Sequence, residues 1–189
     1  MKPALIALSL TALISAGAWA ADDTYTIDPN HTYPMFAVNH LGFTTQHGRF
    51  DKTSGTVKLD RTAKTGSVDL VIDTRSLDMG SPLWNEHLSG DGFFNTAKFP
   101  TMTYKSDKLV FNGDKVVGAQ GEFTLLGVTK PLHVSVTGFH CGINPLNQKA
   151  LCGGNVSAHF KRSEFGMTKF LPLVGDEVEI TVPVEAYKD

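Results

Sequence analysis

SVDLVIDTRSLDMGSPLWNEHLSGDGFFNTAKFP, residues 67–100, changes its periodicity midway, and that change decides the fold class. From Ser67 to Asp73 the chain alternates. Val68, Leu70 and Ile72 fall on one side and Ser67, Asp69 and Asp73 on the other, the period of a half-buried strand. The alternation then stops. Ser81 stands where an N-cap would, Pro82 takes the first helical position, and Leu83, Trp84, His87 and Leu88 follow at i, i+1, i+4, i+5 spacing. Gly90 is placed to end this helix, and Asp91 to cap a further turn carrying Phe93 and Phe94. Phe99-Pro100 returns the chain to an extended state. The stretch reads as a helical insertion over about residues 81–96 among strands. An apolar plug of this kind has two interpretations: a lid or floor on a β cavity, or a helix that covers one end of an ordinary core.

Outward from the plug, period two recurs. Phe36, Val38 and His40 share one parity, as do Met102 and Tyr104. Asn112-Gly113-Asp114 signals a hairpin, after which Val117, Ala119, Gly121, Phe123 and Leu125 share a parity. Leu132, Val134 and Val136 face together with His133 opposite, and Val178, Ile180, Val182 and Val184 oppose Glu177, Glu179 and Glu185. Roughly eight or nine strands with hairpin-scale connections make the chain antiparallel all-β. Closure into an eight-stranded barrel removes exposed edges and leaves an interior that is either filled or holds one small ligand. A two-sheet sandwich is the alternative. In the barrel, Phe36, Val38, Leu70, Ile72, Met102, Tyr104, Phe123 and Leu125 are expected to line the interior, with Trp84, Leu88, Phe93 and Phe94 closing or flanking one end. His40 shares their inward parity and is the candidate to meet a polar ligand group; otherwise it is a core histidine needing a hydrogen-bond partner.

The first residues read as a leader. Lys2 precedes an apolar run, Ala4 to Gly17, and Ala18-Trp19-Ala20 fits the small-x-small cleavage rule. The run is shorter than the ~20 residues of a membrane span. No cysteine follows the cleavage site to take a lipid anchor. Residues 1–20 are thus a cleavable signal peptide and 21–189 one domain, exported to a bacterial periplasm with no stable membrane anchor. The net charge is −2 with both signs interspersed, which argues against nucleic acid as a partner. The two cysteines, Cys141 and Cys152, flank the turn-like GINPLNQKAL and are expected to form a disulfide worth roughly 3 kcal/mol.

Seven histidines raise the question of metal. None forms an H-x-x-x-H pair on a helix, and a zinc site needs three or four converging ligands, so no metal site is assigned. No G-x-S-x-G elbow or phosphate-cradling glycine loop appears, and Asp73, Asp78 and Glu86 sit where acids at turns and caps are ordinary. No catalytic residue is assigned, and the chain is read as a non-enzyme.

Several short motifs occur in a fixed order: Asp28-x-x-His31, Phe36-x-Val38-x-His40-x-Gly42 and Gly48-x-Phe50, then Ser76-Leu77-Asp78, His87-Leu88, Phe93-Phe94 and Lys98-Phe99-Pro100. Gly121-Glu122-Phe123-Thr124-Leu125, Gly127-Val128-Thr129-Lys130-Pro131, Arg162-Ser163-Glu164-Phe165-Gly166-Met167 and Leu173 to Val178 complete the series. Together they resemble the YceI family of secreted, lipocalin-like, polyisoprenoid-binding proteins across essentially the whole mature chain. The resemblance implies an extended eight-stranded antiparallel barrel whose tunnel holds one long lipid: a polyprenyl chain, an isoprenoid quinone, or a fatty acid or its amide. It implies no required cofactor, and relatives often form homodimers. This chain departs from the pattern at Gly92, where relatives commonly place Asp directly before the two phenylalanines; the cysteine pair belongs to only part of the family.

The function so implied is a periplasmic carrier of a long isoprenoid lipid. A periplasmic enzyme or enzyme accessory acting on a small substrate, and a filled-core interaction module, are the alternatives. Each prenyl unit contributes roughly 3–4 kcal/mol of gross burial at ~0.8 kcal/mol per CH₂. Eight units reach about 30 kcal/mol, beyond the observed ceiling of ~20, so ordering costs must offset much of it. Tight binding therefore needs no head-group contact, and the head group is correspondingly hard to read from sequence.

Overall fold

Alternation of apolar and polar side chains organises nearly the whole chain into strands. The computed structural model describes residues 23–189; the leader expected over residues 1–20 lies outside the described residues. The strands are β1 (Asp23–Ile27), β2 (Met35–His40), β3 (Thr44–Phe50), β4 (Thr53–Asp60), β5 (Thr65–Asp73), β6 (Leu77–Asp78), β7 (Thr101–Asn112), β8 (Lys115–Leu125), β9 (Val128–Ile143), β10 (Ala150–Lys161) and β11 (Val174–Lys188). All pairings are antiparallel, in the order β1-β4-β5-β7-β8-β9-β10-β11, and β1 pairs back onto β11. These eight strands close into a barrel, so the sandwich alternative is set aside.

The three further segments continue barrel strands past a break. β2 takes over from β1 along β11, β3 pairs β2, and β6 pairs β3. One end of the barrel carries the β2–β3 turn, the end of β5 and the start of β7. The other carries the β7–β8 turn and the loop between β9 and β10. Directly opposed Cys141 and Cys152 join β9 to β10 near that loop through a disulfide.

The insertion forms α1, Pro82–Ser89, with Pro82 in its first turn. Ser81 has the extended backbone of an N-cap, but its hydroxyl makes no capping bond. The Asn85 side chain reaches back instead, accepting the Met79 N–H at 2.7 Å. Asp91 does not cap a second helical turn as expected. Residues 91–98 run as successive turns that fold back on the end of α1. The N–H groups of Phe94 and Thr96 donate to the carbonyls of Leu88 and Ser89, satisfying acceptors that a helix C-terminus leaves free. That use of the chain leaves no length for another helical turn. Among the described residues no helix is long and apolar enough to cross a membrane.

Two irregularities invert the simple alternation. In β7 the register slips between Lys105 and Lys108, where the Ser106 hydroxyl donates to Gln120 O at 2.8 Å and accepts the Lys108 N–H at 3.1 Å. In β8, Gly118 pairs with Val110 and Val116 with Phe111, so Val117 is the extra residue of a bulge. Val117 accordingly turns outward, 37% exposed, while Val116 is buried. This corrects the shared parity expected from Val117 to Leu125; from Ala119 onward the expected parity holds.

Candidate functional site

An elongated cavity of about 290 Å³ occupies the barrel interior. It is bounded at one end by α1 and the following turns, and it extends to Cys152 and Tyr25 at the other. The expected interior residues Phe36, Val38, Leu70, Ile72, Met102, Tyr104, Phe123 and Leu125 all line it, as do Trp84, Leu88, Phe93, Phe94 and His40. Several wall residues were not singled out from sequence. Ile27, Leu59, Val116 and Ala186 surround the bridge end, and Phe160, Arg162 and Met167 complete the wall nearer the plug.

The plug closes its end with a chain of rings. Trp84 lies between His40 and His87, edge-on to both, with centroids 5.8 and 6.3 Å away. His87 continues to Phe93 at 5.0 Å and stacks on Phe170 at 6.4 Å. Phe94 turns the other way and packs on Phe36 and Phe50 of β2 and β3, at 5.6 and 5.1 Å. A Cβ at Gly92 would meet only the flexible end of the Lys169 side chain, whose ammonium lies over the rings of Phe93 and Phe170. On β3, a Cβ at Gly48 would meet the Phe36 ring and the Met79 sulfur that close the wall beside the plug.

His40 is half-buried rather than sealed in the core, and its side chain makes no hydrogen bond among the described residues. Its position at the plug gives it access to water. His87 and Asn39 line the same cavity and are exposed, so the cavity reaches the surface beside the plug. Tyr104, deeper in the wall, donates its hydroxyl to Leu132 O at 3.3 Å, and burial pushes its pKa up to about 12.

Arg162 was quoted from sequence only as part of a motif. It is 2% exposed and lines the cavity. Its Nε, Nη1 and Nη2 donate to the main-chain carbonyls of Gly175, Met167 and Val174 at 2.7, 3.0 and 2.9 Å. These bonds tie the start of β11 and the segment before it to the end of β10. Burial lowers the Arg162 pKa, opposed by the charge of Asp176. The Asp176 carboxylate accepts the Ser163 N–H and O–H at 2.9 and 2.8 Å. Burial pushes that carboxyl up, but the Ser163 bonds and the Arg162 charge outweigh it and hold the pKa below its ordinary value.

Asp28, His31 and Glu185 converge with metal-ligand spacing, a grouping the sequence hid because Glu185 lies on the last strand. His31 Nδ1 is 2.7 Å from Asp28 Oδ2 and 3.9 Å from Glu185. The close contact is a direct hydrogen bond that engages the ring nitrogen, so the trio reads as an ion-paired turn beside β1. His133 faces outward and is exposed, as its parity implied.

The model of the YceI-like domain family matches residues 25–186. A UPF0312 protein of Pseudomonas aeruginosa (strain LESB58) is 32% identical over 191 residues, covering 100% of this chain and 99% of the relative. Among solved structures, Burkholderia cenocepacia BcnA superposes with a TM-score of 0.69 at 24% identity, covering 84% of this chain and 98% of that one. A polyisoprenoid binding domain from Saccharophagus degradans, implicated in plant cell wall breakdown, superposes with a TM-score of 0.60 at 17% identity, covering 87% and 98%.

Proposed function

Because this chain belongs to the YceI-like domain family, we propose that its barrel is a binding and carrier protein for one long isoprenoid lipid, a polyprenyl chain or an isoprenoid quinone. The observation that carries the reading is the cavity. It runs from the plug to the cysteine bridge, is walled almost entirely by apolar side chains, and reaches solvent beside the plug. A thread-like apolar chain matches that shape, and a compact polar substrate does not. The description of the Saccharophagus neighbour as a polyisoprenoid binding domain supports the same ligand class. A filled-core interaction module fits less well, since the interior retains about 290 Å³. That volume is near the low end for small-molecule sites, so a long prenyl chain requires the wall side chains to spread or part of the chain to stay near the mouth.

The protein acts by binding rather than by turnover, in the periplasm after removal of its leader, and without a resident cofactor other than the lipid. Native mass spectrometry of the purified protein, followed by organic extraction, tests this directly. A stoichiometric prenyl lipid or quinone is the expected result. A protein that emerges ligand-free from lipid-rich cells and takes up no added quinone would overturn it.

A further inference from the structure

Exposed apolar side chains crowd the plug end of the barrel. Leu41 and Phe43 stand in or beside the β2–β3 turn, Leu83 and Trp84 on α1, and Phe170 and Leu173 in the segment before β11. Main-chain bonds and ring contacts join the three segments into one rim. The Leu41 N–H donates to Leu173 O at 2.9 Å, Trp84 lies edge-on to His40, and His87 stacks on Phe170. Trp84, His87 and Phe170 also line the cavity where it reaches the surface, so the rim borders its mouth. Leu41, Phe43, Leu83 and Leu173 belong neither to the cavity wall nor to the core; Phe43 is 87% exposed, Leu83 74% and Leu173 64%. A soluble monomer rarely leaves a contiguous apolar patch of more than a few hundred Å² in water unless the patch has a partner.

The build of the rim fits contact with an apolar phase. Its main-chain donors are largely taken within the loops. Gly42 N–H donates to Asn39 Oδ1 at 2.9 Å and Phe43 N–H to His40 O at 3.1 Å. Leu171 and Val174 N–H donate to the carbonyls of Thr168 and Phe170 at 3.1 and 2.8 Å. Loops with bonded donors enter a low-dielectric interface without stripping those groups of water. Charge is sparse as well. Residues 41–46 carry none, and residues 166–173 carry only Lys169, whose ammonium lies over the rings of Phe93 and Phe170. Helix α1 adds one acidic group, Glu86. Leu41 and Phe170 hold φ at 57° and 62°, a left-handed conformation that bulky residues seldom adopt. Such strain persists where the surrounding structure enforces it, and here it coincides with two exposed apolar side chains of the rim.

We propose that the plug end docks reversibly on a phospholipid bilayer, with the rim side chains entering the membrane interface and the cavity mouth facing the acyl chains. The occupant follows from the mouth the rim borders. A long apolar cargo is taken from and returned to a bilayer, and a rim that excludes water between membrane and mouth spares the cargo exposure to water. The net charge of −2 supplies no long-range pull toward an anionic surface, so docking relies on the apolar side chains and stays reversible. This rests on the carrier reading and names the phase with which the carrier exchanges lipid.

Flotation with vesicles of phosphatidylethanolamine and phosphatidylglycerol tests the docking on residues 21–189, in which Trp84 is the sole tryptophan. Wild type is expected to float with the vesicles and to show a blue shift of Trp84 emission. Phe43→Asp and Leu83→Asp, at sites outside core and cavity, should each cut the vesicle-bound fraction several-fold with the melting temperature unchanged. Leu146, 93% exposed in the β9–β10 loop at the opposite end, is the control, and Leu146→Asp should leave binding unchanged. Transfer of quinone from the same vesicles should slow in Phe43→Asp, while uptake of quinone from detergent stays as in wild type. Wild type that stays free of the vesicles, or a loss as large in Leu146→Asp as in Phe43→Asp, overturns the docking. A dimer that Phe43→Asp dissociates, with no vesicle binding, assigns the rim to a second copy and overturns it too. Quinone uptake without vesicle binding overturns the docking alone; vesicle binding without quinone uptake from either source upholds the docking and fails the carrier reading.

Discussion

Replacing Phe94 by alanine removes the ring by which the plug grips the barrel. Phe94 is 8% exposed, edge-on to Phe50 at 5.1 Å and tilted against Phe36 at 5.6 Å. A buried Phe→Ala change costs about 3–5 kcal/mol, of which each aromatic pair supplies about 0.5–1.5 kcal/mol. That is a large share of the about 5–15 kcal/mol that stabilises a typical domain. How the loss appears depends on whether the plug can separate from the wall. An integral plug would pass the whole cost to the barrel. With an m-value of about 1–3 kcal/mol/M, the urea midpoint would then fall by more than about 1 M for every probe. A plug acting as a lid would undock first, and the cost would stop at its own docking energy. The assay uses residues 21–189, in which Trp84 is the sole tryptophan, and follows its fluorescence, which reports the plug, and far-UV circular dichroism, which reports the strands. In Phe94→Ala the Trp84 transition is expected well before the dichroism transition, with lipid lost from protein whose strands are intact. Coincident transitions shifted together, with lipid retained by the folded fraction, would refute the lid role.

Three further outcomes follow from the same structure. Thr53→Val removes a buried hydroxyl that has no partner, and should raise the stability of the lipid-free protein by about 1 kcal/mol; a lower urea midpoint would show that the hydroxyl is satisfied. Thiol labelling without reductant should modify neither Cys141 nor Cys152, and Cys152→Ser should cost roughly 2–4 kcal/mol in urea unfolding. The third outcome concerns pH and the His31–Asp28 contact. Its hydrogen bond raises the His31 pKa above 6.5. Burial pushes Asp28 up, but the bonds from His31 and Asn30 outweigh it and hold that carboxyl below 3.8. The His31 contribution is therefore complete below 6.5 and fades as pH rises through the raised value, while the Asp28 contribution is complete above 3.8 and fades as pH falls through the lowered one. The melting-temperature gap between wild type and His31→Gln should be widest between those limits and narrow on both sides; a gap independent of pH would exclude the pairing.

Legibility in the sequence followed burial. β5 was readable because Val68, Leu70 and Ile72 face the interior while Ser67 and Asp69 face away, and one buried face imposes a strict period of two. The same rule placed nine strand residues on the cavity wall, because the inward parity of each strand is set before its partners are known; the four plug residues came from the spacing of the insertion. It failed where a bulge inserts a residue. Nothing local distinguishes Val117 from Val116 until Val110 and Phe111 are paired across the hairpin. It also passed over Arg162, since an arginine in a short motif is ordinarily exposed and its three carbonyl partners lie 5 to 13 residues away, at Met167 and at the start of β11. The Asp28–His31–Glu185 grouping was hidden for the same reason: the residues meet only because β1 closes on β11. The plug was legible as an insertion from Pro82 and its ring-bearing face. Its second half was not, because main-chain bonds back to the helix end, rather than a cap at Asp91, set its course.

The strand pairing itself decides which end of the barrel can admit a lipid. Toward the bridge the wall is continuous: β4 pairs β1, β1 pairs β11, and β10 and β9 are joined by a ladder and a covalent bond. Opening there would break backbone hydrogen bonds whose donors and acceptors have no substitute in an apolar interior. Toward the plug the ring is incomplete. β6 pairs β3 over only Arg49–Asp78 and Phe50–Leu77, and it has no paired strand on its other side. The gap before β7 is filled by α1 and the turns after it. The plug is held by ring contacts among Trp84, His87, Phe93, Phe94 and their neighbours, and main-chain bonds from Phe94 and Thr96 stay within the plug itself. Moving it exposes side chains without breaking a ladder. The end with the lower opening cost is therefore the plug end, which is also where the cavity reaches the surface beside Asn39 and His87.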